Sequence, residues 1–161
     1  MINISEKLKD IQNIAKKKKL IISTAESCTG GLIAKYLTDI PGASSIYDSS
    51  IISYSNESKI LLLGVKSETI EKYGAVSEEV VIEMCSGLLM RNEANLGISI
   101  SGIMGPCSDN TEKKIGSIWS CFKHKDQTKT HHLQLNGTRS ENREDAAKNV
   151  ILNLYKFINQ L

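Results

Sequence analysis

The sequence predicts an α/β fold in three layers, and three observations carry that reading. Segments with apolar residues at helical spacing alternate with short apolar runs of strand length. No Pro-, Gly- or Ser-rich linker divides the chain, so its 161 residues, 40% of them hydrophobic, suit one domain with a sizeable core. A late pair of strand-like segments around the polar "KHKDQ" reads as a hairpin, which makes the central sheet mixed.

The elements follow in order. Ile4 to Ala15 carries apolar residues at Ile4, Leu8, Ile11, Ile14 and Ala15 and reads as a helix, while Leu20 to Ala25 reads as a buried strand. Thr29 to Leu37 is helical again, and "DIPGASS" breaks the chain at Pro41-Gly42. Ser50 to Tyr54 is a second strand and Glu57 to Leu63 a short helix that stops at Gly64. Ser77 to Asn92 is a longer helix with Ser77 as its N-cap. Leu96 to Ser101 is a buried strand followed by "GIMGP". The strand pair is Ile115 to Phe122 and Thr128 to Leu135, and Ser140 to Leu161 is a closing amphipathic helix.

Charge and cysteine usage narrow the function. Lys and Arg number 20 against 18 Asp and Glu, a net charge of +2, so a polyanion is not the expected partner and no nucleic-acid role is implied. Lys16 to Lys19 reads as a solvated helix end rather than a binding patch. The opening "MINISEKLKD" is polar and no apolar run approaches ~18 residues, so neither signal peptide nor membrane span is expected and the cytoplasm is the expected compartment. Cys28, Cys85, Cys107 and Cys121 lie far apart and form no CxxC pair, which fits reduced thiols. His131 and His132 are adjacent and His124 stands apart, so no metal site is expected.

The stretch "TAESCTGG", Thr24 to Gly31, carries the chemistry. It falls where a strand turns into a helix, the position at which open α/β sheets collect ligands. Glycines there let a backbone approach a ligand, free N–H groups can hold an oxyanion or phosphate, and a hydroxyl can act as nucleophile. The stretch lacks the Gly-Lys-Ser/Thr of a P-loop and the glycine spacing of a dinucleotide site, and Ser27 or Thr29 acting only as a helix cap is an equal reading. A nucleophilic serine needs a base. "SYSNESK", Ser53 to Lys59, ends a strand and opens a helix, so Tyr54, Asn56 and Lys59 can converge on the same sheet edge. Lys59 serves as base only if burial depresses its pKa from ~10.4, and otherwise it is an ordinary exposed lysine. Cys28 is a rival nucleophile, weighed against a small packing residue.

Five motifs in order, "AESCTGGLIAKYLTDIPGASS", "YSNESKILLLGV", "GAVSEEV", "GIMGP" and "GTRSENR", resemble the CinA carboxy-terminal domain family, the nicotinamide mononucleotide deamidases, over about residues 5 to 160. The resemblance implies a three-layer α/β/α sandwich with a mixed, mostly parallel five-stranded sheet over a single domain, residues 1–161. It implies a serine amidohydrolase that converts nicotinamide mononucleotide to nicotinate mononucleotide and ammonia without metal or cofactor. Ser27 falls on the family's serine and Lys59 on its lysine. Thr29, Gly30, Gly31, Tyr54, Asn56, Gly102 and Gly105 are the implied substrate-binding residues, and N–H groups around Cys28 to Gly31 the implied oxyanion donors. Arg139 and Arg143, one helical turn apart, would face the substrate phosphate, or else be solvated arginines paired with Glu141 or Glu144. A homodimer or higher homo-oligomer is the family-level expectation, and the chain resembles the stand-alone form that lacks the preceding domain of larger CinA proteins. The chain departs from the family at Met104, at Cys107-Ser108-Asp109 in place of a glycine-rich turn, at Asp48-Ser49-Ser50 and at Thr138. A catalytically inactive nucleotide-binding or regulatory homologue is the alternative.

Overall fold

The computed structural model describes residues 3–161; Met1 and Ile2, part of the expected domain, lie outside the described residues. Five strands, β1 (Ile22–Glu26), β2 (Tyr47–Ile52), β3 (Leu96–Gly102), β4 (Ser117–His124) and β5 (Gln127–Gln134), form one sheet in the order β2-β1-β3-β4-β5. Helices α1 (Ile4–Lys18), α2 (Leu32–Thr38) and α6 (Arg139–Gln160) cover one face, and α3 (Asn56–Leu63), α4 (Ser67–Tyr73) and α5 (Glu78–Leu89) lie on the other. The three layers expected from the alternating pattern are therefore present.

The sheet is mixed, but parallel pairing does not dominate it. β1 pairs parallel with β2 and β3, whereas β3–β4 and β4–β5 are antiparallel and the longer ladders. Only β4 runs against the rest, yet its place between β3 and β5 gives it two antiparallel neighbours, and the "KHKDQ" hairpin joins it to β5.

Side-chain alternation builds two cores. Ile22, Ile98, Ile100, Ile118 and Phe122 face α1, α2 and α6, while Ala25 and Cys121 face Val80, Val81, Met84 and Leu88. On β3 the residues turned toward α5 are Gly97, Ser99 and Ser101, small enough for that helix to come close. Ser99 Oγ donates to the Val81 carbonyl at 2.5 Å, and Ser101 Oγ donates to the Ala75 carbonyl at 2.8 Å. Closeness also governs Gly87 of α5, where an added Cβ would sit 1.6 Å from the Leu63 carbonyl oxygen. Gly87→Ala is expected to destabilise the fold by about 3 kcal/mol or more, because backbone must shift to admit it. Chemical denaturation would measure the loss, and a change under ~1 kcal/mol would contradict the packing.

Several boundaries differ from the sequence reading, each for a local reason. The second strand is Tyr47–Ile52, not Ser50 to Tyr54. Asp48, Ser49 and Ser50 conceal it because an edge strand can be polar: Ser23 Oγ donates to Asp48, and Thr24 Oγ1 donates to Ser50 Oγ at 2.8 Å. Helix α2 begins at Leu32 rather than Thr29 because Gly30 and Gly31 adopt φ of 60° and 99°, left-handed values that no helix accepts. Helix α4, unforeseen, buries no residue fully and so leaves little apolar pattern. Helix α5 ends at Leu89 rather than Asn92, while Ser77 caps it as expected, accepting from the Val80 N–H at 3.3 Å. The Lys16 to Lys19 run closes α1 and is exposed, with Lys18 Nζ donating to the Ile158 carbonyl at 2.8 Å.

Candidate active site

Strand β1 delivers its last residue, Glu26, to the carboxyl edge of the sheet, between the ends of β2 and β3. The next residue, Ser27, donates its N–H to the Ile100 carbonyl at 3.1 Å, and its side chain is 6% exposed. Helix α3 rises nearby, started by a capping box between Ser55 and Ser58, and its Lys59 points inward. That lysine is 2% exposed, and its Nζ lies 3.0 Å from Ser27 Oγ. It also reaches the carbonyls of Ser53 at 3.0 Å and Tyr54 at 3.4 Å.

No carboxylate forms a salt bridge with Lys59 among the described residues. Burial lowers its pKa from the ordinary 10.5, against weaker opposing attraction from Cys28 and Glu57. All three neighbours are oxygens that Nζ can donate to, and an amine in its neutral form would keep two N–H groups for the carbonyls and a lone pair for the Ser27 hydroxyl. Cys28 contrasts with this: burial pushes its thiol up to about 12, so it stays protonated. It packs in the core beside Gly102, where a Cβ would come 3.2 Å from its sulfur.

Ser27 and Lys59 open into a cleft of about 380 Å³, a volume in the range of small-molecule sites. Tyr54, Asn56, Gly102, Gly105 and Arg139 line it with them. Arg139 spans its rim, donating from Nη1 to the Gly105 carbonyl at 2.7 Å and from Nη2 to the Tyr54 hydroxyl at 2.6 Å. Asn142, buried in α6, anchors the same loop by donating to the Met104 carbonyl at 3.2 Å and the Gly137 carbonyl at 3.0 Å. Met104 is only 3% exposed and its side chain joins the core. Cys107, Ser108 and Asp109 do line the cleft. Their place after Pro106, where the family pattern has a glycine-rich turn, predicts side chains that narrow the pocket, and the loop brings them to its wall.

Four expected contacts lie elsewhere. Thr29, Gly30, Gly31 and Arg143 do not line the cleft. The Thr29 hydroxyl donates to Glu26 Oε2 at 2.6 Å and the Gly31 N–H to the same oxygen at 3.0 Å, while the Gly30 N–H goes to the Ser27 carbonyl at 3.1 Å. Arg143 does not join Arg139 at the cleft rim. Its Nε donates to the Cys28 carbonyl at 3.3 Å and its Nη2 to the Thr29 carbonyl at 2.9 Å, so it braces the turn from behind. One helical turn put the two arginines on one face of α6, but the acceptors within reach decided where each ended, Gly105 and Tyr54 for one and Cys28 and Thr29 for the other. Among the described residues no three His, Cys, Asp or Glu side chains converge as a metal site, and no helix is long and apolar enough to cross a membrane.

The family model of the CinA C-terminal domain matches residues 5–158. The chain belongs to the CinA C-terminal domain family. A CinA-like protein of Fusobacterium nucleatum is 45% identical over 144 residues, 89% of this chain but 35% of that protein. The chain thus spans about a third of the length of such CinA-like relatives. A protein of Enterobacter agglomerans named nicotinamide-nucleotide amidohydrolase PncC is 47% identical over 133 residues, covering 82% of this chain and 81% of that one. The crystal structure of a CinA superfamily protein from Klebsiella pneumoniae superposes with a TM-score of 0.95 at 28% identity, over 99% of this chain and 100% of its own. A competence/damage-inducible protein from Agrobacterium tumefaciens gives 0.91 at 34% identity, over 97% and 95%. The architecture is held in common with these CinA superfamily structures.

Proposed function

We propose that this chain is a nicotinamide-nucleotide amidohydrolase that converts nicotinamide mononucleotide to nicotinate mononucleotide and ammonia, using Ser27 as nucleophile and Lys59 as general base. The observation that carries the reading is the 3.0 Å approach of a buried lysine, with no salt-bridged carboxylate, to a serine at the edge of a nucleotide-sized cleft. The relative named nicotinamide-nucleotide amidohydrolase PncC supports the substrate class.

Ser27 Oγ attacks the carboxamide carbon as its proton passes to the Lys59 lone pair. The new oxyanion faces the N–H groups of the Ser27 turn. As the carbon–nitrogen bond breaks, the Lys59 ammonium returns its proton to the departing amine, which leaves as ammonia. Water, deprotonated by Lys59, then attacks the acyl ester, releases the carboxylate and restores the Ser27 hydroxyl. No metal or cofactor takes part in these steps. Residues 1–161 act as a single domain, in the cytoplasm, as a homodimer or higher homo-oligomer.

Arg139 is the phosphate donor in this reading. Its charge-assisted hydrogen bonds contribute roughly 1.5 to 3 kcal/mol each, so Arg139→Ala is expected to raise the Michaelis constant for nicotinamide mononucleotide by about one to two orders of magnitude. The dephosphorylated riboside should be affected much less, having nothing for the guanidinium to grip. Arg143→Ala is expected to lower kcat on both substrates alike. Steady-state kinetics on the pair of substrates separates the two arginines, and equal losses on both for Arg139→Ala would overturn its assignment.

The direct test of function is ammonia release on adding nicotinamide mononucleotide to the purified chain. The side chains of Cys107, Ser108 and Asp109 in the cleft favour one second reading, a nucleotide-binding module without turnover. Binding without ammonia release would select it.

A further inference from the structure

Glu26 stands one residue before the nucleophile and is fully buried. A buried carboxylate is costly unless its oxygens are paired, and these are. Oε2 accepts from the Thr29 hydroxyl at 2.6 Å, the Gly31 N–H at 3.0 Å and the Ile33 N–H at 3.2 Å. Oε1 accepts from the Ala34 N–H at 2.8 Å and, more weakly, from the Thr24 hydroxyl at 3.4 Å. None of the partners is a cation. The carboxylate therefore takes up the first amides of α2, so that helix is not the anion site expected from the strand-turn-helix pattern.

The bookkeeping of the turn's own N–H groups gives the consequence. Ser27 N–H goes to Ile100, Gly30 N–H to Ser27, Gly31 N–H to Glu26 and Leu32 N–H, at 3.4 Å, to Thr29. The N–H groups of Cys28 and Thr29 donate to no protein oxygen among the described residues; their neighbour is the Cys28 sulfur, a weak acceptor that leaves them available to a stronger one. The Cys28–Thr29 peptide is trans, so its N–H points opposite to its C=O, and Arg143 holds that C=O at 3.3 Å. The Thr29 N–H is thus turned away from Arg143.

We infer that Glu26 is a positioning residue for the hydrolytic reaction: by binding Thr29, Gly31 and the start of α2 it fixes the turn so that the adjacent Cys28 and Thr29 N–H groups are left to hold the oxyanion on the Ser27 adduct. The inference rests on the Ser27/Lys59 reading and deepens it. Preorganised donors lose their effect when the backbone bearing them can relax, even if no ligating atom has been removed.

The test uses the whole chain and two readouts. In the first, a fluorophosphonate labels Ser27: an oxygen–phosphorus bond forms, fluoride leaves, and the serine proton passes to Lys59. The rate, followed by mass spectrometry, reports stabilisation of the negative charge that builds on the phosphoryl oxygen in the pentacoordinate transition state, without needing the natural substrate. The second readout is kcat and KM for nicotinamide mononucleotide. Removing one oxyanion donor costs roughly 10²- to 10³-fold in kcat, and Glu26→Ala is expected to reach about 10²-fold in both labelling rate and kcat with KM within about threefold. Glu26→Gln retains one acceptor oxygen for Thr29 and Gly31 but turns an amide NH2 toward the Ala34 N–H. It is expected to lose about tenfold, and it decides the matter if Glu26→Ala does not fold. Thr24→Val removes the weakest Glu26 contact without touching the turn and is expected to keep the labelling rate. A folded Glu26→Gln that labels within threefold of the wild type would overturn the inference, as would a wild type that does not label. A wild type that labels at Ser27 in a Glu26-dependent way but releases no ammonia would sustain the role of Glu26 while overturning the proposed substrate.

Discussion

Ser27→Ala is expected to abolish ammonia release from nicotinamide mononucleotide, a loss on the order of 10⁴-fold or more, whereas Cys28→Ala is expected to keep most of it. The magnitude follows from removing the atom that forms the covalent bond, for which nothing else in the cleft substitutes. The contrast between neighbours follows from environment. Ser27 Oγ sits 3.0 Å from the Lys59 amine, while burial holds the Cys28 thiol up at about 12 with its side chain in the core. A thiol that high yields almost no thiolate at neutral pH, and its place beside Gly102 gives it a packing role instead. Turnover measured by an ammonia assay, alongside the melting temperature to show that both variants fold, decides the point. Retention of activity in Ser27→Ala with loss in Cys28→Ala would overturn the Ser/Lys mechanism.

Lys59→Met is expected to lower kcat by about 10²- to 10⁴-fold, the range for losing a general base, and to remove the basic dependence of the rate. Only neutral Lys59 can take the serine proton. In the wild type kcat/KM should therefore rise about tenfold per pH unit until the lysine deprotonates, and the limb should end below the ordinary 10.5 because burial lowers the native pKa. Stability carries the same sign. Between the lowered native pKa and the unfolded value near 10.5 the unfolded chain binds a proton that the native chain does not, so stability increases with pH across that window. It is lost as pH falls through the native pKa, below which the charged lysine remains a constant cost. Lys59→Met abolishes that part of the slope. A pH–rate profile together with denaturation at several pH values would check both, and a rate limb unchanged in Lys59→Met would exclude this lysine as the base.

Much of the architecture was legible because burial repeats with the period of the backbone. The Arg139–Gln160 helix carries its core in plain periodicity, and the first strand, Ile22–Glu26, was marked by the apolar run from Leu20 to Ala25. The pairing of Ser27 with Lys59 was legible only through motif order, since 32 residues separate them and no local rule brings them together. What escaped has a physical cause in each case. Helix α4 buries no residue fully and packs only Ile70 against the core, so little apolar signal marks it. Strand β2 hides behind Asp48 to Ser50 because an edge strand can satisfy hydroxyls with neighbours rather than with a core.

The sequence by itself determined the alternation that makes three layers, the strand-to-turn position of Ser27, and the residue types for a serine nucleophile and an amine base. Tertiary structure alone decided which groups in that inventory meet. Burial lowered the pKa of Lys59 and set its Nζ against two carbonyls and the Ser27 hydroxyl, and it pushed the Cys28 thiol up to about 12 in the core. The two arginines of α6 parted, one to the cleft rim and the other behind the turn. Glu26, an acid with no evident task in the motif, became the anchor of the turn because four close donors converge on its buried oxygens. Periodicity is a property of the chain and can be read from it. Hydrogen-bond competition for a buried carboxylate, or for one side of a turn, depends on three-dimensional neighbours that no spacing rule encodes.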